Sequence, residues 1–176
     1  MIIAVAVVAV TFAACGDDAA TSQPAAVPVG RDALPSLRRQ ANELLDGGAA
    51  AFRARLARLR GHPVVVNQWA SWCGPCRFEF PFFASLARRY EGRVGFIGVN
   101  TQDSSDDARA FLKRYPVPFP HFSDPDSEVA RVFRGGRAFP TTAFYDSAGK
   151  LIFTRPGGYA TEAKLDEDIR KYALDG

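Results

Sequence analysis

The sequence is short of residues that hold metal ions, with only three cysteines and two histidines in 176 residues. A structural zinc site takes about four such ligands. Beside the pair Cys73 and Cys76 the chain offers only Cys15, His62 and His121, so no metal is expected. Charge of one sign is lacking too: 22 Lys and Arg stand against 19 Asp and Glu, scattered without a basic block. Nothing in that pattern tracks a phosphate backbone, which excludes nucleic acid as a partner. Heptads and short-period repeats are absent, which excludes coiled coil and solenoid. The apolar run from Ile2 to Ala14 is thirteen residues long, short of the roughly 20 a membrane-spanning helix needs. What remains is 47% hydrophobic, 12% aromatic and 23% charged, the make-up of one globular domain rather than a disordered tail.

The apolar run fits the hydrophobic region of a signal peptide, taken as residues 1–14. It ends in Phe12-Ala13-Ala14-Cys15-Gly16, small residues before a cysteine, which resembles the cleavage box of bacterial lipoproteins. The resemblance implies that Cys15 is lipidated and holds the chain at the outer face of the bacterial cytoplasmic membrane. The same residues also read as an ordinary signal peptide cut near Ala14, with Cys15 left free; either reading exports the domain. Residues 15–35, rich in Ala, Asp, Thr, Ser, Gln and Pro, read as a flexible tether, and residues 36–176 as the domain.

Within it, Phe52, Leu56 and Leu59 recur at helical spacing between Ala49 and Arg60, and Val64 to Ala70 is too apolar for a strand with a wet face. A helix over Cys73 to Tyr90 carries Cys76, Phe80, Phe83, Ala87 and Tyr90 on one face, with Pro81 to kink it. A second buried strand, Val94 to Val99, precedes a helix started by Ser104 or Ser105 that carries Ala108, Phe111 and Leu112. Residues 116–120 form a stiff extended connector, and Asp126 or Ser127 caps a short helix with Val129, Val132 and Phe133. Thr141 to Tyr145 and Leu151 to Thr154 flank a polar loop and read as a hairpin; a helix opened by Thr161 closes the chain. Asn42 to Leu45 reads either as a further strand or as the continuation of a helix from Ser36. This order predicts an α/β domain, a mixed sheet with helices on both faces in three layers.

The chemistry lies in Trp69-Ala70-Ser71-Trp72-Cys73-Gly74-Pro75-Cys76. Cys73 falls at the first positions of a helix, where free backbone N–H groups and the positive dipole end favour a thiolate, which makes it the nucleophile. Cys76 lies one turn deeper, within reach of a disulfide, and is the resolving thiol. Other features take plainer readings: Trp69 packs beneath the pair, the phenylalanines of the helix are core, His62 and His121 are surface residues, and Gly157-Gly158 is a turn.

Trp-Cys-Gly-Pro-Cys after an apolar strand resembles the active site of the thioredoxin superfamily, and Pro81 and Phe139-Pro140-Thr141 match that fold's helix proline and cis-proline loop. The likeness runs from about His62 to Tyr172. More narrowly, residues 72–81, with Glu79 just ahead of the proline, are similar to the TlpA/ResA-like branch, whose members are exported and often membrane-anchored. That branch commonly has an insertion where Thr101 to His121 lies, between the second crossover strand and the cis-proline loop. The resemblance implies a thioredoxin-like three-layer sandwich, with Trp72, Phe139 and Pro140 binding the substrate. Asn67 takes the place of the buried Asp that cytosolic thioredoxins use as proton acceptor, which leaves Glu79 to manage protons. Glu79 also reads as a solvated carboxylate paired with Arg77 or Arg60.

The implied activity is thiol-disulfide oxidoreduction on exported proteins with cysteines, in the reducing direction, with cytochrome c maturation as a candidate process. No cofactor is expected beyond the redox-active Cys73–Cys76 disulfide, and a membrane partner is expected to recycle it. Three other readings stay open: a thiol oxidase that forms disulfides, a lipoprotein that binds a partner without turnover, and a peroxiredoxin-like peroxidase. The last needs a Thr-x-x-Cys setting, for which Ser71 is in the wrong register.

Overall fold

The structure, a computed structural model, describes residues 33–176. The expected signal peptide, Cys15 and the expected tether up to residue 32 lie outside the described residues. The elements run α1 (Ala33–Arg39), β1 (Leu44–Leu45), α2 (Gly48–Arg58), β2 (Val64–Trp69), α3 (Gly74–Arg89), β3 (Gly95–Thr101), α4 (Ser105–Arg114) and β4 (His121–Asp124). They continue as α5 (Glu128–Val132), β5 (Thr141–Tyr145), β6 (Leu151–Pro156) and α6 (Glu162–Asp168), which passes into a π-helical turn over Ile169–Leu174. Among the described residues no helix is long and apolar enough to cross a membrane.

Six strands form one sheet in the order β1-β4-β3-β2-β5-β6. The first four are parallel to one another, whereas β5 runs antiparallel to β2, and β6 to β5. Val65 and Trp69 of β2 pack with Phe80, Phe111, Leu112 and Leu165 on one face of the sheet. Val64 and Val66 pack with Leu34, Leu37, Phe52 and Val129 on the other. The expected mixed, three-layer α/β sandwich of the thioredoxin fold is therefore present. Period-two alternation explains why every residue of β2 is buried: each face meets its own helices.

Local chemistry sets the helix ends. Ser104 accepts the Asp107 N–H at 3.1 Å to start α4, with Asp106 and Asp107 in its first turn and Lys113 and Arg114 in its last. Thr161 accepts the Lys164 N–H at 3.3 Å to start α6. For α5, Ser127 holds the N-cap position, one of the two expected, but its side chain makes no cap bond; the carboxylate of Asp124 accepts the Val129 and Ala130 N–H groups instead, at 2.8 and 2.9 Å.

Two more expectations change, and one open alternative is settled in favour of a strand. Helix α1 starts at Ala33, inside the expected tether, because Leu34 and Leu37 reach the core on the α2 face. The Asn42 to Leu45 segment resolves into a two-residue strand, Leu44–Leu45, paired with His121 and Phe122. The insertion ends in the expected connector over residues 116–120 but does not stop there. It runs on into β4, which takes a place inside the sheet between β1 and β3, so His121 is fully buried rather than at the surface.

Candidate active site

The bend between β2 and α3 carries the cysteines. Cys73 is the N-cap of α3 rather than its first helical residue, with extended backbone, and its Sγ accepts the Cys76 N–H at 3.1 Å. Gly74 and Pro75 fill the first turn, where a missing proline N–H costs no helical bond. The sulfurs are joined at 2.00 Å with Cα atoms 5.3 Å apart. Cys73 is 3% exposed and Cys76 fully buried, so the second sulfur is the deeper one. Free N–H groups and the dipole at this helix end stabilise negative charge on Cys73 once the pair is reduced.

Two loops frame the pair. Trp72, 56% exposed, donates its indole N–H to the Gln102 carbonyl at 3.0 Å and lays its ring 4.8 Å from that of Phe139. The Phe139–Pro140 peptide is cis, and the Pro140 carbonyl accepts the Gly157 N–H at 2.8 Å. Buried Gln68 of β2 ties down the approach to this loop: its Oε1 accepts the Gly136 N–H at 2.7 Å and its Nε2 donates to the Ala138 carbonyl at 3.2 Å. On the opposite side, Asp103 accepts the Ser71 N–H at 2.6 Å and its hydroxyl at 2.8 Å, holding the residues before Cys73. Neither Gln68 nor Asp103 carries a motif that marks it in the sequence; both are found only through contacts about 30 to 70 residues away.

Beneath the disulfide, Glu79 is fully buried one turn after Cys76. Its Oε1 accepts from Asn67 Nδ2 at 2.8 Å and its Oε2 from the Tyr159 N–H at 3.0 Å. The reading of Glu79 as a solvated partner of Arg77 or Arg60 is therefore corrected: both arginines are exposed and the carboxyl faces inward. Burial pushes its pKa up to about 7, against the pull of the Tyr159 N–H, Asn67 and the charge of Arg155. The β6–α6 loop closes over it at Gly158, where a Cβ would make ordinary contacts, 3.4 Å from Pro140 Cγ and 3.6 Å from Glu79 Oε2. The cis-proline loop and the carboxyl thus meet at Gly158, one turn of α3 beyond Cys76. The expected turn at Gly157-Gly158 proves part of that junction.

Trp69 packs under the pair as expected, its ring 5.1 Å from Phe80 and 4.8 Å from Phe111. Its indole N–H donates to His121 Nδ1 at 3.0 Å, and burial lowers the His121 pKa to about 3, so the imidazole is neutral. Among the described residues no cluster of three or more His, Cys, Asp or Glu could hold a metal ion.

Known proteins resemble this chain. Residues 28–154 match the AhpC/TSA family. Thiol-disulfide oxidoreductase ResA of Bacillus subtilis (strain 168) is 33% identical over 101 residues, which cover 57% of this chain and 56% of ResA. Thiol:disulfide interchange protein CycY of Rhizobium leguminosarum bv. viciae is 34% identical over 127 residues, 69% of this chain and 66% of CycY. The crystal structure of a thiol:disulfide interchange protein DsbE from Chlorobium tepidum aligns with a TM-score of 0.60 at 29% identity, covering 66% of this chain and 84% of that one. The match spans little more than half the length of ResA. The chain belongs to the AhpC/TSA family, and its domain has the thioredoxin fold.

Proposed function

We propose that the domain reduces disulfides in exported proteins, with Cys73 as nucleophile, Cys76 as resolving thiol and Glu79 as proton carrier. The Cys73 thiolate attacks one sulfur of a substrate disulfide; a Cys73–substrate bond forms and the other substrate sulfur leaves as a thiolate that takes up a proton. Cys76 then loses its proton and attacks Cys73. The substrate is released with two thiols, and the two electrons it gained leave Cys73–Cys76 as the disulfide. Glu79 takes the proton of Cys76, the step for which a buried carboxyl titrating near neutrality is suited. Trp72, Phe139 and Pro140 bind the extended substrate segment beside Cys73.

The carrying observation is the asymmetry of the pair: Cys73, 3% exposed, caps the start of α3 while Cys76 lies fully buried one turn deeper. A membrane thiol-disulfide partner recharges the domain, a lipid on Cys15 keeps it at the outer face of the cytoplasmic membrane, and the disulfide form of apocytochrome c cysteines is the substrate class. Names such as thiol-disulfide oxidoreductase and thiol:disulfide interchange protein among the relatives support the exchange reading.

Cys76→Ser should accumulate mixed disulfides with substrate proteins, resolvable by non-reducing electrophoresis and mass spectrometry, and Cys73→Ser should accumulate none. Trapping through Cys76 in the Cys73→Ser protein would reverse the assignment. The family match gives a peroxidase reading one foothold, although Ala70 and Ser71 stand where the Thr-x-x-Cys setting is needed. Peroxide turnover at catalytic rates by Cys76→Ser would favour that reading instead.

A further inference from the structure

Asn67 meets Glu79 with half of its side chain only. Its Nδ2 donates to Glu79 Oε1, while Oδ1 of the same amide is buried without a hydrogen-bond partner. Buried acceptors are nearly always paired, so an orphan in contact with a titrating group calls for a physical reason. The chemistry of the two side chains supplies one. An ionised carboxylate only accepts hydrogen bonds, whereas a protonated one carries an O–H that must find an acceptor. Glu79 Oε2 already accepts the Tyr159 N–H, so a proton on the carboxyl is best placed on Oε1, facing Asn67. A primary amide has nearly the same shape when turned by half a revolution, and that turn exchanges its donor for its acceptor.

We propose that Asn67 is a two-state hydrogen-bond partner of Glu79, donating from Nδ2 to the carboxylate and turning over to accept at Oδ1 from the carboxylic acid. The inference rests on the reading of Glu79 as proton carrier and assigns Asn67 a positioning role within it. The amide keeps Glu79 oriented in both protonation states, so a proton comes and goes without the buried site opening. The surroundings leave this task to Asn67. Its neighbours across β3 and β5 are Gly98, over which the neutral imidazole of His121 stands, and Thr142, whose buried hydroxyl has no partner either; none of them bears a charge. The charged and titratable groups around Glu79 come from elsewhere: Arg155 on β6, Tyr159 ahead of α6 with Asp168 behind it, and the cysteines on α3 itself. Aspartate at position 67 would add a second carboxylate competing for the same proton.

Nuclear magnetic resonance of the oxidised full chain, labelled with 13C and 15N, tests this between pH 5 and 9. The Glu79 carboxyl carbon and the Asn67 side-chain amide should move with one common midpoint, and the scalar coupling from Asn67 Nδ2–H to the Glu79 carboxyl should be present at pH 9 and absent at pH 5. An Asn67 amide that stays fixed while Glu79 titrates overturns the proposal and leaves the proton-carrier reading standing; a Glu79 that does not titrate in this range removes both. As a second measurement, Asn67→Asp should move the midpoint of the exchange rate upward by at least about one pH unit, a tenfold change in proton concentration. A folded Asn67→Asp protein with the original midpoint also overturns the proposal.

Discussion

Replacing Glu79 by glutamine removes one titration from the buried side of the active-site helix while keeping the shape of the neutral acid. The carbonyl of the introduced glutamine can accept the Tyr159 N–H, and its NH2 can donate to Asn67 Oδ1, the atom that lacks a partner beside the glutamate. Folding raises the Glu79 pKa from 4.5 to about 7. Below pH about 4.5 the carboxyl is neutral in folded and unfolded chains alike, and its burial carries no ionisation penalty. Between there and pH about 7 the unfolded chain gives up its proton while the folded one retains it, so stability falls; above pH about 7 the loss is complete. At about 1.4 kcal/mol per pH unit, the decline from pH 4 to pH 8 amounts to about 3 kcal/mol. The measurement is urea unfolding of the oxidised protein and of Glu79→Gln across that range. The variant should gain on the native protein by about that amount as pH rises. Parallel stability curves for the two proteins would refute the account of Glu79 as a buried group titrating near neutrality.

Other substitutions probe the frame around the site. A Cβ at Gly98 would overlap His121 Nδ1, so Gly98→Ala should force the imidazole off the Trp69 indole and destabilise the fold by about 1–3 kcal/mol in thermal or denaturant unfolding; native stability would show that β4 can shift at no cost. Asp103→Ala removes the acceptor of the Ser71 N–H and hydroxyl and should cost about 1–2 kcal/mol, with faster hydrogen exchange at Ser71. Unchanged protection there would mean that the loop before Cys73 is held by other contacts.

Particular residues show why some of this was legible in the sequence. Val64, Val65 and Val66 favour a strand and leave no wet face, and the spacing of Cys76, Phe80 and Phe83 marks the buried side of α3; both elements lie where the periodicity puts them. Strand β4 is different. His-Phe-Ser-Asp is four residues long, has one apolar side chain and follows a proline-rich stretch, so it carries no period to read. It is a strand because β1 and β3 pair with it from both sides, and His121 is buried because Gly98 makes room beside it and Trp69 donates to it. Glu79 is a similar case: its spacing along α3 fits an inward or an outward carboxyl, and only the strand and loop around it select between them.

The order of residues along the chain by itself determined the dithiol, its place at a helix start and the layered α/β plan, because helix capping, spacing and hydrophobic period act within a few neighbouring residues. Only the tertiary structure decided that Glu79 is buried, that Asn67 and the Tyr159 N–H share it, and that Asp103 and Gln68 brace the two loops. Those outcomes depend on hydrogen bonds across 12 to 80 residues, and the charge state of a carboxyl follows from the burial and partners that such distant segments impose when the sheet closes.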